Sequence, residues 1–362
     1  MIILRVMFVI ILAGCSASNP VNELDVRPPL ETAELRKADD WTSGLNVSIR
    51  IFDTGESPQN SIYVSASHVR EVERRYLPYM LKKTLDQSGF WGAVRVLPKL
   101  DASAEISITA TIIQSNGANL DLRVRVAAAT GNVWLDKIYR GQTNESNYTT
   151  DPDFASDTFQ DIYNRIANDM SVRLLAMSSG ERQQIIDAAL MLYGVALSPE
   201  LFSGYIGISD TGYVLTALPA REDPILLNLI KIRNSEYLFA DSVDAHYEKL
   251  YRTVGPTYAW WRYYSFELIS GNERLGSIDA ARGATKGSWY SMERIYKTFK
   301  EAKMNQDALR ELSEAFERET VATTAKVSGR VVELSGSLDQ QYDTWRRILR
   351  SMYEDAVPPK TN

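Results

Sequence analysis

A change in hydrophobic period near residue 150 most constrains how this chain can fold. Between residues 45 and 142 apolar side chains recur at every second position. Val47, Ile49 and Ile51 alternate with Ser48 and Arg50; Ile106, Ile108, Ala110 and Ile112 alternate with Ser107, Thr109 and Thr111. Leu120, Leu122, Val124 and Val126 alternate with Asp121, Arg123 and Arg125. From Ser156 the period lengthens, and Phe159, Ile162, Tyr163, Ile166, Met170 and Leu174 fall on one helical stripe. Period two with one polar face is the pattern of antiparallel strands with one wet side, and period 3.6 that of an amphipathic helix. The chain is therefore expected to be α+β, a small N-terminal sheet with a packed helix followed by a mainly helical part ending in a long helix.

Within the first part, Asn116-Gly117 and Thr130-Gly131-Asn132 supply turns, and a further strand is expected from Val133 to Arg140. A helix is expected from about His68 to Ser88, with Val69, Val72, Tyr76 and Met80 on one stripe. Pro78 should kink it or mark a restart, and Gly89 should end it before a short strand at Val94 and Val96. The order strand, helix, strand, three-strand meander over residues 45–142 resembles the small N-terminal domain of TolB-type periplasmic proteins. That resemblance implies a fold and leaves function open.

Residues 143–155 are polar, include Asn144, Asn147, Asp151 and Pro152, and read as a hinge. A helical domain is expected over 156–356, with a disordered tail at 357–362. Ser178 and Glu181 have the spacing of a capping box. Residues 199–224, with Gly204, Gly207 and Gly212, read as a hairpin or an irregular loop. Helix should resume at Pro224 and break near Gly255-Pro256 and again between Gly271 and Gly287. From Asp307 to Asp355 no proline occurs, and a stripe from Leu309 through Val327 and Val331 to Met352 suggests one long helix. Gly329 and Gly336, seven apart, would then mark either close approach of another helix or a locally weak stretch.

The N-terminus carries a different kind of signal. Arg5 precedes an apolar run, Val6 to Ala13, of signal-peptide length and too short for a spanning helix of ~20 residues. The run closes on Leu12-Ala13-Gly14-Cys15, and Cys15 is the only cysteine among 362 residues. This resembles the lipobox of bacterial lipoproteins. The resemblance implies removal of residues 1–14 as a signal peptide, acylation of Cys15, and, with Ser16 following, placement on the periplasmic face of the outer membrane. Residues 15–44, with Asn19-Pro20 and Pro28-Pro29, then read as a lipidated tether, part of which could pack on the first domain. Loss of Arg5 with the signal takes the formal net charge from -6 to -7, a mild acidity that argues against nucleic acid as a partner.

Few chemistries are marked. His68 and His246 are the only histidines and lie far apart, so no metal site and no two-histidine motif is expected. There is no G-x-S-x-G elbow, and Gly283-Ala-Thr-Lys-Gly-Ser288 has its lysine before the glycine, the wrong order for a phosphate loop. No cofactor and no catalytic residue are assigned. The most unusual composition is Tyr258, Trp260, Trp261, Tyr263 and Tyr264. Neighbouring residues on a helix point about 100° apart, so one face cannot bury all five rings. They are either a partner or glycan surface or the packing of a buried central helix.

Two functions follow. One is a non-catalytic, membrane-anchored envelope lipoprotein that docks a protein partner within a larger assembly. The other is a cell-wall glycan-binding protein or hydrolase, with Glu267 beside the aromatic segment as the acid. Neither fixes the oligomeric state.

Overall fold

The alternating segments build a six-stranded mixed sheet. Its strands are β1 (Val47–Arg50), β2 (Asp53–Thr54), β3 (Val94–Leu97), β4 (Ile106–Ser115), β5 (Asn119–Ala128) and β6 (Val133–Gln142). They lie in the order β3-β1-β4-β5-β6, with β2 paired to β4. A computed structural model describes residues 33–39, 44–55, 66–101, 103–143, 148, 157–209, 212–282, 289–318, 323–327 and 330–356. For 66–68, 271–282, 289–295, 316–318, 323–327 and 330–331 it describes the backbone alone.

The β4-β5-β6 meander is antiparallel, as its pattern requires, with Leu120, Leu122, Val124 and Val126 buried. On the wet face Arg123 and Arg125 both bridge to Asp136, at 3.1 Å each. β1 departs from the antiparallel expectation, because it runs parallel to both β3 and β4. The helix between β1 and β3 is a crossover connection, which returns the chain to the same end of the sheet. Ser48 is buried there, so β1 is covered on both faces.

That crossover helix, α1 (Ala66–Ser88), passes through Pro78 without a restart. Proline removes the N–H that would bond the carbonyl four residues back. That carbonyl, on Arg74, accepts instead from the Phe52 amide at 2.8 Å, so the lost helical bond becomes a tie to the β1–β2 segment.

The helical part follows: α2 (Gln160–Leu175), α3 (Ser179–Leu197) and a single turn, α4 (Pro199–Phe202). Ser178 and Glu181 form the expected capping box at the start of α3. A 3-10 turn then leads into a hairpin of β7 (Ile206–Ser209) and β8 (Gly212–Leu215). Next comes α5, Pro224–Arg282, a helix of 59 residues. The break expected near Gly255-Pro256 does not occur, and the helix ends at Arg282, inside the stretch Gly271 to Gly287 where the second break is expected. A proline costs about 3 kcal/mol in a helix interior, whereas burying a large apolar side chain returns ~1.5–3 kcal/mol. Tyr251, Val254 and Tyr258, all buried around Pro256, outweigh it.

The C-terminal region differs most from expectation. α6 (Trp289–Arg318) ends well short of Asp355. A hairpin of β9 (Thr323–Val327) and β10 (Arg330–Leu334) follows, and then α7 (Leu338–Ala356). The long helix of the fold is thus α5, in the middle of the chain, and the last helix has 19 residues. The β-branched run Thr323, Thr324, Val327, Val331 and Val332 favours paired strands over helix. Gly336 has φ +100 and precedes α7, so it is no helix-packing position, while Gly329 lies outside the described residues.

One cluster of buried apolar side chains runs from Leu45, just before β1, to Tyr353 in α7. α5 lies against the edge strand β3, where Asp244 Oδ1 accepts from the Val96 amide at 2.7 Å and Asp241 pairs with Arg95 at 2.6 Å. This covers an edge that would otherwise offer free backbone groups. Deeper in, Arg233 of α5 reaches Glu105 at 2.6 Å, and Glu105 also accepts from the Asn46 amide at 2.9 Å. Of the tether, residues 33–39 are strapped along α2. Asn164 and Asn168 donate to the Ala33 and Glu34 carbonyls at 2.7 and 2.8 Å, and Asp161 accepts from the Ala33 amide at 3.0 Å. Of the hinge, only Thr143 and Tyr148 are described.

Candidate functional site

The five rings of the aromatic segment divide between core and surface. Tyr258 and Trp261, three apart on α5, are buried and stack at 5.7 Å. Tyr258 donates to Glu73 Oε1 at 2.7 Å, and Ser115 donates to the same oxygen at 2.5 Å. Arg262, also buried, donates to the Tyr258 hydroxyl at 2.5 Å and lies 4.5 Å over the Phe159 ring. This polar knot joins α1, β4 and α5 and reads as internal bracing. Trp260, Tyr263 and Tyr264 are half-buried and pack on one another, with centroids 5.3–5.9 Å apart. Glu267, one turn beyond Tyr263, is half-buried as well. α6 packs along α5 and exposes Tyr296 (70%), Phe299 (53%) and Met304 (56%).

A second constellation lies where the β5–β6 turn, the α2–α3 corner and the β7–β8 hairpin meet. They enclose a half-open cavity of about 300 Å³. Thr130, Asn132 and Trp134 line it from the sheet, and Arg173, Glu181 and Gln184 from the helices. Tyr213 and Val214 close the third side. Two glycines build the closure. Gly131 (φ +82) and Gly212 (φ +134) touch back to back, and a Cβ on Gly212 would lie 2.2 Å from the Thr130 carbonyl oxygen. The contact lets the Tyr213 amide donate to that oxygen at 2.7 Å. Glu181 is held by its capping role, Oε2 accepting from the Ser178 amide at 2.8 Å, which keeps its carboxyl below the usual range.

A third feature is Glu236, fully buried on α5. Tyr193 of α3 donates to it at 3.0 Å, Tyr342 of α7 at 3.3 Å, and Arg346 of α7 lies 3.3 Å away. Burial pushes its carboxyl up to about 7, against the pull of Arg346. One carboxyl thereby clamps three helices. None of the cavity residues, nor Glu236, was singled out from the sequence as functional. Only the Ser178–Glu181 capping pattern and the turn glycines pointed to that corner.

Among the described residues, no group of three or more His, Cys, Asp and Glu is placed to hold a metal, and no helix is long and apolar enough to cross a membrane. His246 has Nδ1 2.7 Å from the Ser242 carbonyl on its own helix. Cys15, the segment 283–288 and the side chain of His68 lie outside the described residues. No family model, no curated protein and no solved structure matches this chain.

Proposed function

We propose that this chain is a non-catalytic docking subunit of an envelope assembly, anchored through lipid on Cys15 at the periplasmic face of the bacterial outer membrane. The Leu12-Ala13-Gly14-Cys15 pattern supports the anchor. One observation carries the docking role: Tyr296, Phe299 and Met304 are more than half exposed within nine positions of one helix. Single exposed apolar residues are ordinary, but aromatic residues and Met are the types enriched at protein interfaces. The half-buried rings of Trp260, Tyr263 and Tyr264 on α5 extend that chemistry. The alternative, a hydrolase acting through Glu267, has less support, because the rings nearest Glu267 pack on one another.

A photo-crosslinking side chain at Met304 of the anchored protein in intact cells tests this reading. The expected result is a discrete protein adduct that disappears in Tyr296→Ser/Phe299→Ser, with the melting temperature unchanged. Absence of an adduct from positions 296, 299 and 304 overturns the docking role. Failure of the wild type to take up labelled fatty acid, or full membrane retention of Cys15→Ser, overturns the anchor.

A further inference from the structure

We propose that the cavity between Trp134, Gln184 and Tyr213 binds a neutral saccharide, independently of the docking role. Its volume of about 300 Å³ stands at the small end of ligand sites and suits one or two sugar rings. A sugar ring presents an apolar C–H face and a rim of hydroxyls that both donate and accept. The cavity matches both aspects. Trp134 and Tyr213 offer aromatic surface, with Trp91 packed 6.4 Å behind Trp134. Asn132 and Gln184 offer side-chain amides, each able to donate and accept, and Thr130 a hydroxyl.

The charges narrow the class further. Arg173 and Glu181 are the charged residues of the lining, and their formal charges cancel. A phosphate or nucleotide would find no net positive field there. The apolar part of the lining, Met177, Ile185, Ala188 and Leu215, can meet the C–H face of a sugar, while the amides of Asn132 and Gln184 stand at the exposed rim where hydroxyls would lie. Planar amide, carboxylate and guanidinium groups suit vicinal hydroxyls, which accept and donate in pairs.

The site is also preorganised. The Ser178–Glu181 capping box fixes one wall, and the Gly131–Gly212 contact with the Tyr213–Thr130 hydrogen bond fixes the hairpin that forms another. A ligand entering a preset cavity loses little free energy to ordering its walls. The hairpin exposes Ile208 and Val214 to solvent and carries Tyr213, itself partly exposed, at the rim of the cavity.

The test is calorimetric titration of the protein as extracted in detergent from its producing cells, with tri-N-acetylchitotriose, maltotriose and, as a non-sugar comparison, trialanine. At least one saccharide should bind with a Kd of about 1 mM or tighter. Trp134→Ala should weaken binding about tenfold or more, and Trp134→Phe should keep most of it. Gln184 is exposed and bears little of the core, so Gln184→Ala should weaken binding several-fold at unchanged melting temperature; it serves if Trp134→Ala fails to fold. The proposal is overturned if neither saccharide binds by about 10 mM, if trialanine binds as well as the sugars, or if Gln184→Ala binds like wild type. None of these results bears on crosslinking at Met304, so the two proposals stand or fall separately.

Discussion

Replacing Glu236 by Gln should convert a pH-dependent clamp into a pH-independent one. The carboxyl is fully buried, and burial lifts it from its ordinary 4.5 to about 7. An acid that is harder to ionise in the folded state binds more protons there than in the unfolded state between those two values. Stability therefore falls as pH rises through that window: the contribution is whole below about 4.5 and gone above about 7. At ~1.4 kcal/mol per pH unit the loss is about 3 kcal/mol, and no solvent exposure discounts it. Tyr193 and Tyr342 donate to different oxygens of the carboxyl, so glutamine keeps the shape and one of the two acceptors, and it carries no titrating proton. Any fixed cost of the exchange, including the altered contact with Arg346, is the same at every pH. Asp86 and Asp244, whose carboxyls burial also raises, titrate alike in both proteins and cancel. Urea unfolding of both proteins, from about pH 4.5 to about pH 8, should show the difference swinging by about 3 kcal/mol in favour of Glu236→Gln. A swing below about 1 kcal/mol would refute the reasoning, since Glu236 would then ionise in the fold as easily as in water.

Arg233→Ala should destabilise the fold by ~3–5 kcal/mol in the same urea assay, because it leaves Glu105 buried opposite the Asn46 amide without its cation; a loss under about 1 kcal/mol would mean that solvent reaches Glu105. Gly212→Val should force the hairpin off the β5–β6 turn, since its Cβ meets a backbone oxygen that cannot swing aside and its φ of +134 strains any side chain, at about 1–3 kcal/mol. Limited proteolysis should then cut within 206–215 while α5 stays protected, and unchanged protection of the hairpin would show that the glycine contact does not hold it.

The sheet and the first helices were legible because their side-chain periods state one answer. Strand partners were not, since alternation in Val47–Ile51 names a buried face but no neighbour; the crossover through α1 decides that β1 runs parallel. The restart open to the helix at Pro78 and the break expected at Pro256 fail to occur for a shared reason. The local cost of each proline is real, yet a freed carbonyl found the Phe52 amide in one case and buried tyrosines outweighed the break in the other. The C-terminal hairpin was hidden by arithmetic. Thr323 and Val327 are spaced by four, and a step of four keeps residues on one face in a helix and in a strand alike; Val331, four further on, falls on the next strand opposite Lys326, a turn that spacing alone does not announce. Their β-branched chemistry, rather than their spacing, was the discriminating signal.

Legibility of the candidate sites follows the same logic one level up. Composition drew attention to the five rings, and the choice between core and surface had no single answer. Positions 258 and 261 share a face that meets α1, while 260, 263 and 264 turn about 100° or more away from one or other of them toward solvent. The saccharide cavity gave no comparable signal, because several residues at that corner already have a local explanation. Glu181 caps a helix, Gly131 and Gly212 make turns, and Gln184 sits on an exposed helical position. Glu236 likewise reads as an ordinary helix charge until Tyr193 and Tyr342 are brought to it from 43 and 106 residues away. A side chain whose local role is satisfied shows nothing in sequence of a second role set by tertiary contact. Perturbing such residues separates the two roles: Glu181→Gln should weaken saccharide binding through the lost charge, whereas Ser178→Ala should cost about 1 kcal/mol of helix stability through the lost cap. If both substitutions change stability and neither changes binding, the corner is a cap and nothing more.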